Sequence, residues 1–293
     1  MRKHWITTAI VFLIIIIFLI VGWAEYFHRN NSLVSQKPWP DLPMQYNNGE
    51  YYRITYKSDG LDVVGILAKP NGDGPFPTVI YNRGGNREYG KIQLPVKLIY
   101  LLVNNGYMVL ASQYRGNDGG EGKEQFGGDD VHDVLNLITV AQTLNYCDPN
   151  NLFMVGCSRG GMMTYLVLKE QVPIRGAVII NGVSNIFEQV IHDPEWEEYV
   201  LEQLIPGLSE NKEEEYKKRS ALFWADKINI PILIQHSIHD ERVPYETAVV
   251  MAQKLKDLGK DVSFISYNAT HRPTEEMVND MIKWLKNERC NES

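Results

Sequence analysis

One pentapeptide restricts the fold of this chain more than any other stretch: Gly156-Cys157-Ser158-Arg159-Gly160. It stands between an apolar run, Leu152-Phe153-Met154-Val155, and a helix-like stretch, Gly161-Met162-Met163-Thr164-Tyr165-Leu166. A serine with glycines two residues away on each side, between a strand and a helix, marks a turn too tight for side chains at the flanking positions. Such a turn lifts the hydroxyl clear of the sheet and aims the helix N–H groups at whatever reacts with it. G-x-S-x-G recurs by chance, and the strand and helix around this copy are what give it weight. Ser158 is therefore the expected nucleophile.

A hydroxyl nucleophile needs a base, and the base needs an orienting acid. On the α/β-hydrolase fold they follow in the order serine, acid, histidine, each past the end of a later strand. Pro231-Ile232-Leu233-Ile234-Gln235-His236 reads as a buried strand, and Ser237 to Pro244 as the loop after it, carrying Asp240. Val262 to Tyr267 alternates as the next strand, followed by Asn268-Ala269-Thr270-His271. Ser158, Asp240 and His271 thus fall on separate strand-end loops in the required order. His236 and His239 precede the acid rather than follow it, and His236 reads as a structural hydrogen-bonding residue. Glu241 is the alternative acid. Ser112 and Ser237 end strands without the glycine pair and read as structural.

Strand-like runs at 78–82, 108–113, 152–157, 177–181, 231–236 and 262–267 alternate with helical stretches. That order predicts an α/β fold with a mostly parallel central sheet and helices on both faces. Several runs are apolar throughout, as strands covered on both sides must be. With 293 residues and 44% hydrophobic content, the soluble part has enough apolar material for one substantial core.

On these residues the chain resembles the catalytic domain of the prolyl oligopeptidase (S9) family, from about Ser58 to Trp284. Ser58-Asp59-Gly60 with Gly65-Ile66-Leu67 is similar to the family's opening strands, and Gln113-Tyr114-Arg115-Gly116-Asn117-Asp118-Gly119-Gly120 to its arginine-glycine loop. Phe126 to Val134 is similar to the helix entry that follows, and Ala225 to Pro244 to the approach to the acid. The resemblance implies a serine-type peptidase working through Ser158, Asp240 and His271, with no metal or organic cofactor. A carboxylesterase of the same fold is the nearest alternative, and a silent binding protein on the scaffold is a more distant one.

The chain departs from the family pattern at two positions near the nucleophile. Arg159 stands where tyrosine is usual, and Asn82-Arg83-Gly84-Gly85-Asn86 puts arginine where histidine or tyrosine usually precedes the glycines. The oxyanion donors are expected to be the backbone N–H of Arg159 and a group from Arg83-Gly84, with the Arg83 side chain either supplying that group or pointing to solvent. The β-propeller of the family's larger members is not expected in a chain of this length.

The N-terminal segment is a separate matter. Met1-Arg2-Lys3-His4 is cationic, and Trp5 to Trp23 carries no charge. Nineteen helical residues at about 1.5 Å each span roughly the 30 Å hydrocarbon core. A single-pass transmembrane anchor at 1–24 is the expectation, with a cleaved signal peptide as its alternative. Arg2 and Lys3 would hold the N-terminus inside and place the enzyme outside the cytoplasm. Residues 25–50 read as a polar, proline-bearing connector, and 51–293 as the catalytic domain.

Net charge −7 argues against nucleic acid as a partner. Three cysteines give no disulfide framework, and Cys157, inside the elbow, reads as packing. Between Gly182 and Asp226 stand 11 acidic and 4 basic residues, where this fold commonly inserts a helical cap. A solvated helix face is the plain reading; an acidic mouth, with Glu195, Glu197, Glu198 and Glu202 drawing in cationic substrates, is the sharper one.

Overall fold

The structure, a computed structural model, describes residues 32–40, 42–43, 46–94 and 96–290. Its centre is a nine-stranded sheet in the order β1-β2-β3-β5-β4-β6-β7-β8-β9. The strands are β1 Leu33–Pro38, β2 Gly49–Ser58, β3 Leu61–Pro70, β4 Phe76–Asn82, β5 Met108–Ser112, β6 Cys147–Cys157, β7 Gly176–Ile180, β8 Ile232–Ser237 and β9 Val262–Tyr267. β1, β2, β3 and β5 pair antiparallel, and every pairing from β5 through β4 to β9 is parallel. The β2–β3 hairpin closes through Asp59-Gly60, both at positive φ, which is the backbone a two-residue turn between twisted strands requires.

Helices α1 (Lys97–Asn104) and α5 (Glu275–Cys290) cover one face. Helices α2 (Asp130–Thr143), α3 (Arg159–Leu168) and α4 (Tyr245–Asp257) cover the other. The alternation hidden inside the all-apolar strands appears in which face each residue packs on. In β6, Phe153 and Val155 join Ile99, Leu102, Met281 and Leu285, whereas Leu152 and Met154 join Val134, Leu137, Met163 and Leu255. Both faces of the sheet are buried, so period 2 selects a helix layer rather than core from solvent.

The predicted parallel strands form within a residue or two of their expected bounds, except that β6 begins five residues early, at Cys147. Leu33–Pro38, within the stretch read as connector, pairs as β1 along β2 and so joins the sheet. The expected transmembrane segment, 1–24, lies outside the described residues. Among the described residues no helix is long and apolar enough to cross a membrane.

The parallel strands place the expected site residues together. Ser158 follows β6, Asp240 lies after β8 and His271 after β9, all at the carboxyl edge of the sheet. Residues 83–90 leave the neighbouring strand β4 at that same edge. Ligands of open α/β sheets bind at this edge because the strand ends and following loops converge there.

Candidate active site

Ser158 takes φ 56° and ψ −125°, a conformation an L residue holds only when its surroundings impose it. They do so here through close backbone approach. A Cβ on Gly160 would stand 1.9 Å from the Asn82 carbonyl oxygen, and one on Gly156 would stand 2.2 Å from the Gly160 carbonyl oxygen. The glycines therefore let β4, β6 and the first turn of α3 meet, and the serine takes the strain. Its N–H donates to the Ile180 carbonyl at 3.0 Å, tying the turn to β7.

His271 brings Nε2 to 3.0 Å from Ser158 Oγ, and its Nδ1 lies 2.8 Å from both carboxylate oxygens of Asp240. An ionised carboxylate only accepts, so Nδ1 carries the proton and Nε2 is free to receive the serine hydroxyl. Asp240 Oδ1 also accepts from the N–H groups of Arg242 at 2.9 Å and Val243 at 3.0 Å. Burial pushes the Asp240 carboxyl up, but the His271 hydrogen bond and those backbone donors outweigh it and hold the group below its ordinary value. Asp240 is thus kept ionised and fixed in orientation.

The competing residues fall elsewhere. Glu241 is exposed, and its carboxylate reaches the main-chain N–H of His271 at 3.3 Å, not the ring. His236 is buried, with Nε2 donating to the Val243 carbonyl at 3.1 Å behind Asp240; burial lowers its pKa. It is structural, as its place before the acid suggests. Cys157 is buried, and burial pushes its thiol up to about 12, so it packs as an uncharged side chain.

The oxyanion expectation needs one correction. The Arg83 side chain neither points to solvent nor reaches the serine. It is buried, and its guanidinium is consumed by main-chain carbonyls of Gln113, Gly84, Arg87 and Tyr89. The Arg159 guanidinium is likewise buried, on Glu124 and Asp130. What remains near the nucleophile is backbone. Arg159 opens α3 directly after Ser158, and Gly84 lies so close that a Cβ there would meet Ser158 Cβ at 3.1 Å.

A cleft of about 560 Å³ opens over these groups. Phe126, Val183 and Trp196 give it an apolar wall, with Phe126 and Trp196 edge to face at 5.4 Å. Gln189, Asp193 and Trp196 come from the 182–226 segment, which does lie over the site. Among its acidic residues only Asp193 lines the cleft, while Arg242 and Arg272 line it from the acid and base loops. Glu195, Glu198 and Glu202 are exposed, and Glu197 is engaged by Lys212 and the Tyr216 hydroxyl. The cleft's lining carries both signs of charge, and these glutamates fit the solvated-face reading.

Some contributors were not anticipated from sequence. Asn181 sits at φ 48° just after β7, where its Nδ2 donates to the His271 carbonyl at 2.7 Å and its Oδ1 accepts from Ser237 N–H at 2.8 Å. It ties the base's loop to the end of β8. A polar residue ending an apolar strand beside the elbow was the available signal.

The chain has known relatives. The model of the prolyl oligopeptidase family matches residues 95–288. The chain belongs to the prolyl oligopeptidase family of serine peptidases. It is 30% identical over 255 residues to the uncharacterized peptidase YtmA of Bacillus subtilis, covering 84% of this chain and 97% of that one. Among solved structures, acylaminoacyl peptidase of Pyrococcus horikoshii superposes with a TM-score of 0.71 at 23% identity, over 83% of this chain. An acylaminoacyl peptidase in complex with Z-Gly-Gly-Phe-chloromethyl ketone gives 0.68 at 25% identity, over 82%. This chain spans 42% and 41% of those two chains.

Proposed function

We propose that the chain hydrolyses short peptides through an acyl-enzyme formed on Ser158, and that it does so outside the cytoplasm from an N-terminal anchor. The observation that carries the chemistry is the relay itself, Ser158 Oγ to His271 Nε2 at 3.0 Å and His271 Nδ1 to Asp240 at 2.8 Å. His271 takes the hydroxyl proton as Oγ attacks the carbonyl carbon, then gives that proton to the leaving amine. Asp240 holds the imidazole tautomer and stabilises the imidazolium. The N–H of Arg159, at the start of α3, and that of Gly84, in the loop after β4, receive the negative oxygen of the tetrahedral intermediate. Water then repeats the sequence to release the acid.

The apolar wall of Phe126, Val183 and Trp196 suits an apolar side chain on the acyl side of the scissile bond. That a related acylaminoacyl peptidase has been captured with a phenylalanyl chloromethyl ketone supports the same choice. The uncharged Trp5–Trp23 run behind Arg2 and Lys3 supports the anchor and its direction.

The test compares phenylalanyl and acetyl-phenylalanyl anilides with short-chain nitrophenyl esters, using wild type and Ser158→Ala. Peptide-anilide turnover that disappears with Ser158, together with fluorophosphonate labelling at that residue, is expected. Ester turnover without any anilide turnover would make the chain an esterase instead. For the anchor, the protein should stay with membranes through carbonate washing; a mature form in the medium beginning near Glu25 would show a cleaved signal.

A further inference from the structure

The two positions at which the chain departs from the family pattern, Arg83 and Arg159, are joined in the structure through a single carboxylate. Arg159 Nη1 donates to Glu124 Oε1, and Arg83 Nη2 lies 3.9 Å from Glu124 Oε2. Arg159 Nη2 donates to Asp130 Oδ2 at 2.5 Å. Both guanidinium groups pack over the Tyr114 ring, at 5.0 and 4.7 Å, and Arg159 also packs on Phe126 at 4.5 Å. All four charged side chains are buried, and their formal charges cancel.

This group holds the backbone of the 83–89 segment along its length. The Tyr114 hydroxyl donates to the Arg83 carbonyl at 3.1 Å, and Arg83 Nη1 to the Gly84 carbonyl at 3.1 Å. Arg159 Nη1 donates to the Gly85 carbonyl at 3.1 Å, and Arg83 Nη2 to the Arg87 carbonyl at 2.9 Å. The Arg87 N–H donates to Glu124 Oε2 at 2.9 Å, and that oxygen also accepts from Asn117 Nδ2 at 2.7 Å. Desolvating charges this completely is weak evidence for stability, because apolar replacements of similar volume commonly do as well. The pattern of contacts is better explained by geometry. Carbonyls of Arg83, Gly84, Gly85 and Arg87 accept from these donors, which holds the segment against the buried group and fixes where the Gly84 backbone stands beside Ser158.

We propose that Glu124, with Arg83, Arg159 and Tyr114, is a positioning residue for the oxyanion site, fixing the Gly84 backbone against Ser158. The proposal rests on the hydrolytic reading above. Preorganised donors act only if they stand where the charge develops, and a displacement of about an ångström costs about 100-fold. Arginine at both positions, rather than the usual aromatic or imidazole side chains, lets one carboxylate brace the segment after β4 and the first turn of α3 together.

The experiment measures hydrolysis of p-nitrophenyl butyrate and inhibition by 2-phenylethaneboronic acid, whose tetrahedral adduct places an oxygen in the oxyanion site. Glu124→Gln keeps the side-chain shape and removes the charge; Tyr114→Phe keeps the ring and removes one hydroxyl, so it is the variant least able to disturb folding. In Glu124→Gln, kcat should fall about 10- to 100-fold, with KM moving by less than about threefold. The boronate Ki should rise in proportion to the loss in kcat. Tyr114→Phe should show the same split at about 3- to 10-fold. Unchanged kcat and Ki in cooperatively melting Tyr114→Phe and Glu124→Gln proteins, with Ser158→Ala inactive, would overturn the positioning role alone. Residual turnover in Ser158→Ala would instead strike at the hydrolytic reading.

Discussion

Replacing Asp240 by asparagine tests the relay at the point where the structure makes the sharpest demand. The new amide cannot choose its orientation freely. Oδ1 accepts from the N–H groups of Arg242 and Val243, at 2.9 and 3.0 Å, so the amide oxygen must stay there. The amide nitrogen then occupies the Oδ2 position, 2.8 Å from His271 Nδ1. An Nδ1–H would then face the amide NH2 and keep as its acceptor only Oδ1, which already takes two backbone donors, so the balance shifts to the tautomer with its proton on Nε2, 3.0 Å from Ser158 Oγ. The base is now blocked at the atom that must accept the serine proton. The same substitution in a serine protease of unrelated fold costs about 10⁴ in kcat, equivalent to about 5.5 kcal/mol at 1.36 kcal/mol per decade. A loss of that order in kcat is expected here, on anilide and ester alike, with a native thermal melt. Fluorophosphonate labelling, which also needs the serine proton removed, should slow in parallel. Retention of turnover within about tenfold in folded Asp240→Asn protein would refute the reasoning, because it would mean that Nδ1 keeps its proton on the amide oxygen at Oδ1 and leaves Nε2 free.

The neighbouring Glu241 is exposed and reaches only the backbone of His271, so Glu241→Gln should keep kcat/KM within about threefold of wild type. Gly160→Ala should be far more damaging, since its Cβ meets the Asn82 carbonyl oxygen at 1.9 Å and no rotamer relieves a clash between backbones. A loss of about 3 kcal/mol, or roughly 6–12 °C in Tm, should accompany loss of activity, and a native Tm would contradict the packing described. Burial holds the His236 pKa below its ordinary value of about 6.5, so below that pH the unfolded chain takes up a proton the folded chain refuses. Stability should therefore fall as pH drops from about 6.5 toward the lowered value, and the fall should be shallower in His236→Gln; denaturant melts with parallel pH slopes for the two proteins would contradict this.

The sequence alone pointed to Ser158, Asp240 and His271, which the structure brings together, and to the parallel part of the sheet. Each was legible because the requirement is local. A tight turn needs glycines at Gly156 and Gly160, buried strands need unbroken apolar runs, and the fold orders serine, acid and base along the chain. Tertiary structure decided what depended on groups far apart in sequence. Arg83 reads as solvent-facing or catalytic until Glu124, Gln113 and Tyr114 surround it. Leu33–Pro38 reads as a connector because an edge strand, open on one side, needs little apolar patterning; only pairing with β2 makes it a strand. The acidic 182–226 segment shows its composition in the sequence but not its direction. Where a charge points is set by helix packing over the cleft, and that packing brings Asp193 to the lining while leaving Glu195, Glu198 and Glu202 exposed.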